Sequence, residues 1–194
     1  MDNQLREELL ARKAEDLRVR EELLSAGVLG DGYHPRMESV HRENAARLRA
    51  IVEQHGWPGA SLVGNDGAEA AWLILQHAIG EPDLQRGYLS LLVESAAKDE
   101  IPRWQPAYLI DRICFFEGRP QLYGTHSDWD EDGNMQIHTL QEPDRVNDLR
   151  HQVGLPPLTG NASPQESRIP IPPEQAKAHR HQMDEWARSV GWRK

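Results

Sequence analysis

The chain is poor in cysteine. Its single thiol, Cys114, excludes an internal disulfide framework and any zinc site built on several thiolates. No apolar run approaches the ~18–20 residues of a bilayer span, so no membrane partner is expected. Bases are outnumbered, 22 Lys and Arg against 31 Asp and Glu, for a net charge of -9. That balance argues against a nucleic-acid partner. The first residues are acidic and lack the apolar stretch of a secretory signal. There is no phosphate-binding GxxxxGK[ST] loop, no HExxH pair and no GxSxG nucleophile turn. His179 and His181 stand two apart on an expected helix and so face different sides. No cofactor and no metal are called for, and the chain reads as a soluble cytoplasmic protein.

What is present is helix. Mean hydropathy is -0.71, yet six Trp and many Leu, Ile and Val remain to build a core. Residues 2–26 read as a charged helix capped by Asp2, with a stripe of Leu5, Leu9, Leu10, Leu17, Leu23 and Leu24. Its acids and bases suit i, i+4 pairs on a solvated face, or alternatively a protein partner. A second helix is expected over about 38–55, capped by Ser39 and closed by Gly56. A third, capped by Asn65 or Asp66, spans about 67–80 and is apolar nearly all round, which predicts a buried position. A fourth starts at Pro82 or Asp83. A fifth, from Pro106 to Phe116, is again apolar nearly all round.

The second half changes character. Short β-prone runs, 121–125 and 135–140, flank Asp132-Gly133, a hairpin-turn dipeptide. Pro143 opens a helix that Gly154 closes. Residues 155–173 are proline-rich and read as a linker or wrapping arm. A last helix covers about 174–190. Charge is segregated: residues 126–148 carry seven acids and one base, and 168–194 carry six bases and three acids.

The middle of the chain carries ordered blocks. These include His55-Gly56-Trp57-Pro58, Ser61-Leu62-Val63-Gly64, Ala70-Ala71-Trp72-Leu73, Gln76-His77-Ala78, Ala107-Tyr108-Leu109-Ile110-Asp111-Arg112, Gln121-Leu122-Tyr123-Gly124-Thr125 and Gly154-Leu155-Pro156-Pro157. Over about residues 38–160 the chain resembles the bacterial domain-of-unknown-function 6624 family. The resemblance brings no activity, substrate or cofactor with it. His126 stands where that family usually has glutamine, a departure that argues against a metal or catalytic role for His126 shared by the family. A hydrogen-bonding role survives the change.

Polar residues inside apolar helices are the candidate chemistry. His77 lies on the helix expected to be most buried, and a buried imidazole needs a partner. Asp111 and Arg112 interrupt the apolar fifth helix, and a buried charge needs a counter-group, for which His77 suits Asp111. Such a pair serves either acid–base catalysis or a structural clamp. Arg119 suits a carboxylate or phosphate. Strand alternation puts Gln121, Tyr123 and Thr125 on one face, as a ligand lining or as a solvated strand. Asp128-x-Asp130-x-Asp132-Gly133 begins like a calcium loop but has Thr139 where the bidentate Glu belongs, so an acidic hairpin turn explains it better.

The expected architecture is therefore mainly α: a single-domain helical bundle with one small β-hairpin and a Pro-rich C-terminal arm ending in a helix. Its organisation is an N-terminal helix and loop over 1–37, a core over 38–160 with the hairpin at about 121–140, and the arm over 161–194. The expected function is binding of a small polar or anionic ligand near His77, Asp111 and Tyr123. His77 and Asp111 would be an acid–base pair, with Arg112, Arg119, Gln121, Tyr123 and His126 around the ligand. The alternative is a non-catalytic interaction module in which the same polar residues are structural.

Overall fold

The computed structural model describes residues 1–28, 32–159 and 170–194. Seven α-helices and one two-stranded antiparallel sheet make it mainly α among the described residues. None of its helices is long and apolar enough to cross a membrane. The chain forms two compact units, Met1–Gln105 and Pro106–Lys194.

In the first unit, α1 (Asn3–Ser25) starts where the Asp2 carboxylate accepts the Leu5 N–H at 3.0 Å. Its buried stripe is Leu5, Leu9, Asp16, Val19 and Leu23. Leu17 and Leu24, expected on that stripe, face solvent instead. A helix turns about 100° per residue, so positions 5, 9, 16, 19 and 23 line up while 17 and 24 fall off the line.

The second helix, α2 (Pro35–His55), begins three residues before the expected start and is capped by His34, not Ser39. Pro35 explains this: at a first helical position its missing N–H costs nothing. Gly56 caps the far end at φ 74°, a conformation that glycine adopts without penalty. The third, α3 (Ala60–His77), is two helical pieces joined across a non-helical Gly64; the second piece begins close to the expected start and ends at His77 rather than near 80. Asp66 does not open this helix; its carboxylate is held by Arg6. Next comes α4 (Pro82–Ala97).

The helix α1 packs on α3 and α2, and α2 packs on α3. Polar bonds tie the rims: Arg47 donates to Glu8 at 2.6 and 2.7 Å, and Lys13 meets Glu69 at 2.7 Å. The apolar stripe of α1 is thus covered within the unit.

The second unit holds most of α5 (Trp104–Glu117), then β1 (Ser127–Trp129) and β2 (Met135–Ile137), α6 (Val146–Gln152) and α7 (Pro173–Ser189). The strands pair as Ser127↔Ile137, Asp128↔Gln136 and Trp129↔Met135. The expected strand over 121–125 is not one. It makes a single bridge, Gln121 with Leu140, because its N–H groups are taken by a side chain, as described below. A short 3-10 turn, Pro143–Arg145, precedes α6. Of the expected extended arm, residues 160–169 lie outside the described residues. At its far end Ile171 N–H donates to the Gly133 carbonyl at the hairpin turn.

Candidate functional site

Three of the helix stripes in the first unit carry a polar residue where an apolar one belongs. On α1 it is Asp16, wholly buried between Leu9 and Val19. On α2 it is His41, in register with Met37, Ala45 and Leu48 and only 8 % exposed. On α3 it is His77, the last helical residue. Packing α1, α2 and α3 together brings these three to one point.

His77 Nδ1 lies 2.8 Å from Asp16 Oδ1. His41 Nε2 lies 3.3 Å from Asp16 Oδ2, within ion-pair range but misaligned, so that both of these buried atoms lack a hydrogen bond among the described residues. The two imidazole rings are 5.2 Å apart. Tyr33, just before α2, places its hydroxyl 2.7 Å from His41 Nδ1. That bond fixes the orientation of the His41 ring and keeps Nε2 toward Asp16. The side chain of His77 keeps 25 % of its surface in water, so the centre has one wet member and two dry ones.

The electrostatics follow from this packing. Burial opposes ionisation of Asp16, but the contacts to His41 and His77 outweigh it and hold the carboxyl below the usual carboxylate range. Burial, with the Glu38 and Asp16 carboxylates nearby, pushes the Tyr33 phenol up, so it stays neutral. A buried carboxylate between two imidazoles can orient a ring, share a proton with it, or join it in binding a cation.

The sequence-predicted residues divide between the units. His77 belongs to the first; Asp111, Arg112, Arg119, Gln121, Tyr123 and His126 belong to the second. The counter-group expected for His77 was Asp111; the hydrogen bond at its Nδ1 is with Asp16. Asp111 is fully buried, and its carboxylate accepts N–H bonds from Leu122 (2.8 Å), Tyr123 (3.1 Å to each oxygen) and Thr125 (3.0 Å), plus the Thr125 hydroxyl at 3.0 Å. Among the described residues its hydrogen bonds come from backbone N–H groups and one hydroxyl, not from a side-chain cation. This is why 121–125 forms no ladder.

Four of the other five make contacts that the structure shows. Gln121 is buried; its amide donates to the carbonyls of His126 and His138 and accepts the His126 N–H. The carbonyl of Tyr123 accepts a bond from buried Arg150 at 2.6 Å. Arg119 is exposed, and its guanidinium grips Glu117 through two bonds, at 2.6 and 2.8 Å. His126 stacks on Phe115 at 5.5 Å. Burial, then the nearby Arg112 charge and His138, push its imidazole well down, so it stays neutral. Arg112 is half-buried on α5. A cavity of about 420 Å³ does lie in this unit. Its walls include Asp128, Trp129, His138 and Arg180, and none of the predicted ligand residues. In the Asp128–Gly133 turn, Asp130 accepts the N–H groups of Asp132 and Asn134, as a hairpin turn requires.

Asp16, His41 and Tyr33 were missed by sequence reasoning. The signal was present: Asp16 and His41 each continue an apolar helical stripe in register. Asp16 was counted among the surface charges of a charged helix, and His41, inside the second helix expected over about 38–55, was not singled out.

Comparison with known proteins places the chain in a family. It belongs to DUF6624, described as a family of unknown function, whose profile matches residues 3–165. The match takes in α1, and with it Asp16, as well as α2 and α3. Searches of the curated proteins and of the solved structures find no match.

Proposed function

We propose that the protein binds a small polar or anionic ligand at the Asp16–His41–His77 centre and carries out acid–base, hydrolase-like chemistry on it. The observation that carries this reading is the 2.8 Å bond from the partly exposed His77 ring to a wholly buried carboxylate. An imidazole whose Nδ1–H is held by a carboxylate has its tautomer set, and its Nε2 becomes the proton acceptor. Asp16 then acts as a positioning residue and His77 as the acid–base group. The acidic balance, the single cysteine and the family resemblance support a cytoplasmic bacterial setting without nucleic-acid or membrane partners.

The test is a panel of small carboxylates and phosphate esters, screened by thermal shift and confirmed by calorimetry, on the wild type and on His77→Gln. A hit whose affinity falls at least about tenfold in a folded His77→Gln protein supports the reading. Hits that bind the variant equally well overturn it. The second reading, a non-catalytic interaction module, is favoured by one observation: Asp111 and Gln121 spend their polar atoms on the protein's own backbone.

A further inference from the structure

We infer that Asp16, His41 and His77 form a binding site for one divalent first-row transition metal ion of the zinc class. The inference rests on the reading above, because it takes the same three side chains and names what the centre holds.

Donor chemistry comes first. Two imidazoles and one carboxylate are a borderline ligand set that suits zinc, cobalt or iron(II) over calcium or magnesium, which take oxygen ligands. Geometry comes second. One donor atom from each residue can be chosen so that no two lie more than 4.8 Å apart. Zinc bonds of ~2.0–2.1 Å set tetrahedral ligand atoms about 3.3 Å from one another. His41 Nε2 and Asp16 Oδ2 stand 3.3 Å apart, and His77 Nδ1 and Asp16 Oδ1 stand 2.8 Å apart. These two contacts use different oxygens of Asp16; with one donor atom taken from each residue every edge is 4.8 Å or less, and a cation between them would draw the three donors inward.

Satisfaction is the third and independent observation. Asp16 Oδ2 and His41 Nε2 are buried and have no hydrogen-bond partner among the described residues, on residues that are 0 % and 8 % exposed. The two atoms face each other at 3.3 Å, but without an aligned hydrogen bond both stay under-satisfied in a packed core, and such groups call for a further partner. A cation between the three residues supplies it for both atoms at once. The outer contact also fits. With Nδ1–H donating to the Tyr33 oxygen, the Nε2 lone pair of His41 is free for the metal, the usual arrangement behind a metal-bound histidine. When the cation enters, the single ring proton of His77 moves from Nδ1 to Nε2 and Nδ1 becomes a ligand, so Nε2 serves as a proton acceptor only in the metal-free centre. Three protein ligands leave a fourth position for water or for a ligand oxygen, as in catalytic zinc sites.

The test uses the full chain, stripped with a chelator and titrated with zinc chloride by calorimetry and with cobalt(II) by visible absorption. One equivalent should bind the wild type, with a cobalt spectrum of nitrogen and oxygen ligation. His41→Ala and His77→Ala should each weaken binding by roughly 100-fold, and Tyr33→Phe by roughly 10-fold through the outer contact. Circular dichroism accompanies each variant. Should the alanine variants fail to fold, the wild-type stoichiometry and the Tyr33→Phe shift still decide. No stoichiometric binding by the wild type overturns the site, as does binding that folded His41→Ala and His77→Ala retain undiminished. A null metal titration alongside a ligand still sensitive to His77→Gln overturns the metal site alone. Stoichiometric metal with no ligand from the panel supports the site and counts against the ligand reading alone.

Discussion

Replacing Asp111 by asparagine isolates a carboxylate that works on its own backbone. In the wild type one oxygen takes the Leu122 N–H and a share of the Tyr123 N–H; the other takes the remaining share and both donors of Thr125. An amide keeps only one acceptor oxygen. Its best placement keeps that oxygen on the Thr125 side and turns its NH2 toward the Leu122 N–H, leaving a buried donor facing a donor. That loss costs about 1–3 kcal/mol, and downgrading the remaining charge-assisted bonds to neutral ones adds about 1 kcal/mol. Burying a neutral group in place of a charge returns part of this. The expected net loss is about 2–3 kcal/mol. At ~2–4 °C per kcal/mol for a chain of this size, the melting temperature falls by about 5–10 °C.

The assay is calorimetric or dichroic melting from pH 4 to 8, with guanidinium unfolding for the free energy. Its pH dependence has a definite sign. Burial raises the Asp111 pKa above its ordinary value, against the backbone N–H bonds that lower it. The folded state therefore takes up this proton more readily than the unfolded chain. Its contribution is present at acid pH and declines as pH rises through the raised pKa. A protonated carboxyl resembles the amide, so the gap between the two proteins should narrow toward acid. An Asp111→Asn protein that melts within about 1 °C of wild type at pH 7 would refute the clamp. So would a variant of full stability that has lost ligand binding.

Other expectations rest on separate contacts. Glu8→Gln should cost about 1 kcal/mol by urea unfolding, less than its pKa depression alone implies, since each side chain keeps about a third of its surface in water. In the wild type the Arg47 and Arg12 guanidinium groups, against the burial that opposes them, hold Glu8 down to about 2. That stability is present above the ordinary carboxylate pKa and is lost as pH falls toward 2. His126, kept neutral by burial, should be seen by NMR to stay uncharged where a free histidine is protonated; stability tied to it falls as pH drops below the ordinary histidine value, because only the unfolded chain takes up the proton there. Gly133→Ala should cost at least about 1–3 kcal/mol, because φ is +82° and the new Cβ would meet the Ile171 carbonyl oxygen at 1.8 Å; limited proteolysis should then cut the arm faster.

Local rules account for most of the helices. The Asp2 cap, the Pro82 start and the apolar faces of α3 and α5 are properties of neighbouring residues, and they hold whatever the rest of the chain does. The acidic turn around Asp132-Gly133 is of the same kind. Errors arose where two local signals competed. Ser39 offered a cap, but Pro35 allowed an earlier start; before the piece expected after Asn65 or Asp66, a further helical piece runs from Ala60 to the non-helical Gly64.

The sequence by itself determined that the chain is helical, acidic and poor in cysteine, and that His77 and Asp111 are polar groups in apolar helices. Burial made each of them need a partner, and periodicity was enough to see that. Which partner each found was decided only by tertiary structure. Asp111 met the backbone of 121–125, since a buried carboxylate is satisfied by N–H dipoles as well as by a cation. His77 met Asp16, 61 residues away, because the packing of α1 on α3 sets that neighbour. Helical periodicity says which residues face inward. It does not say which inward residues of different helices meet, and the Asp16–His41–His77 centre exists only through that meeting.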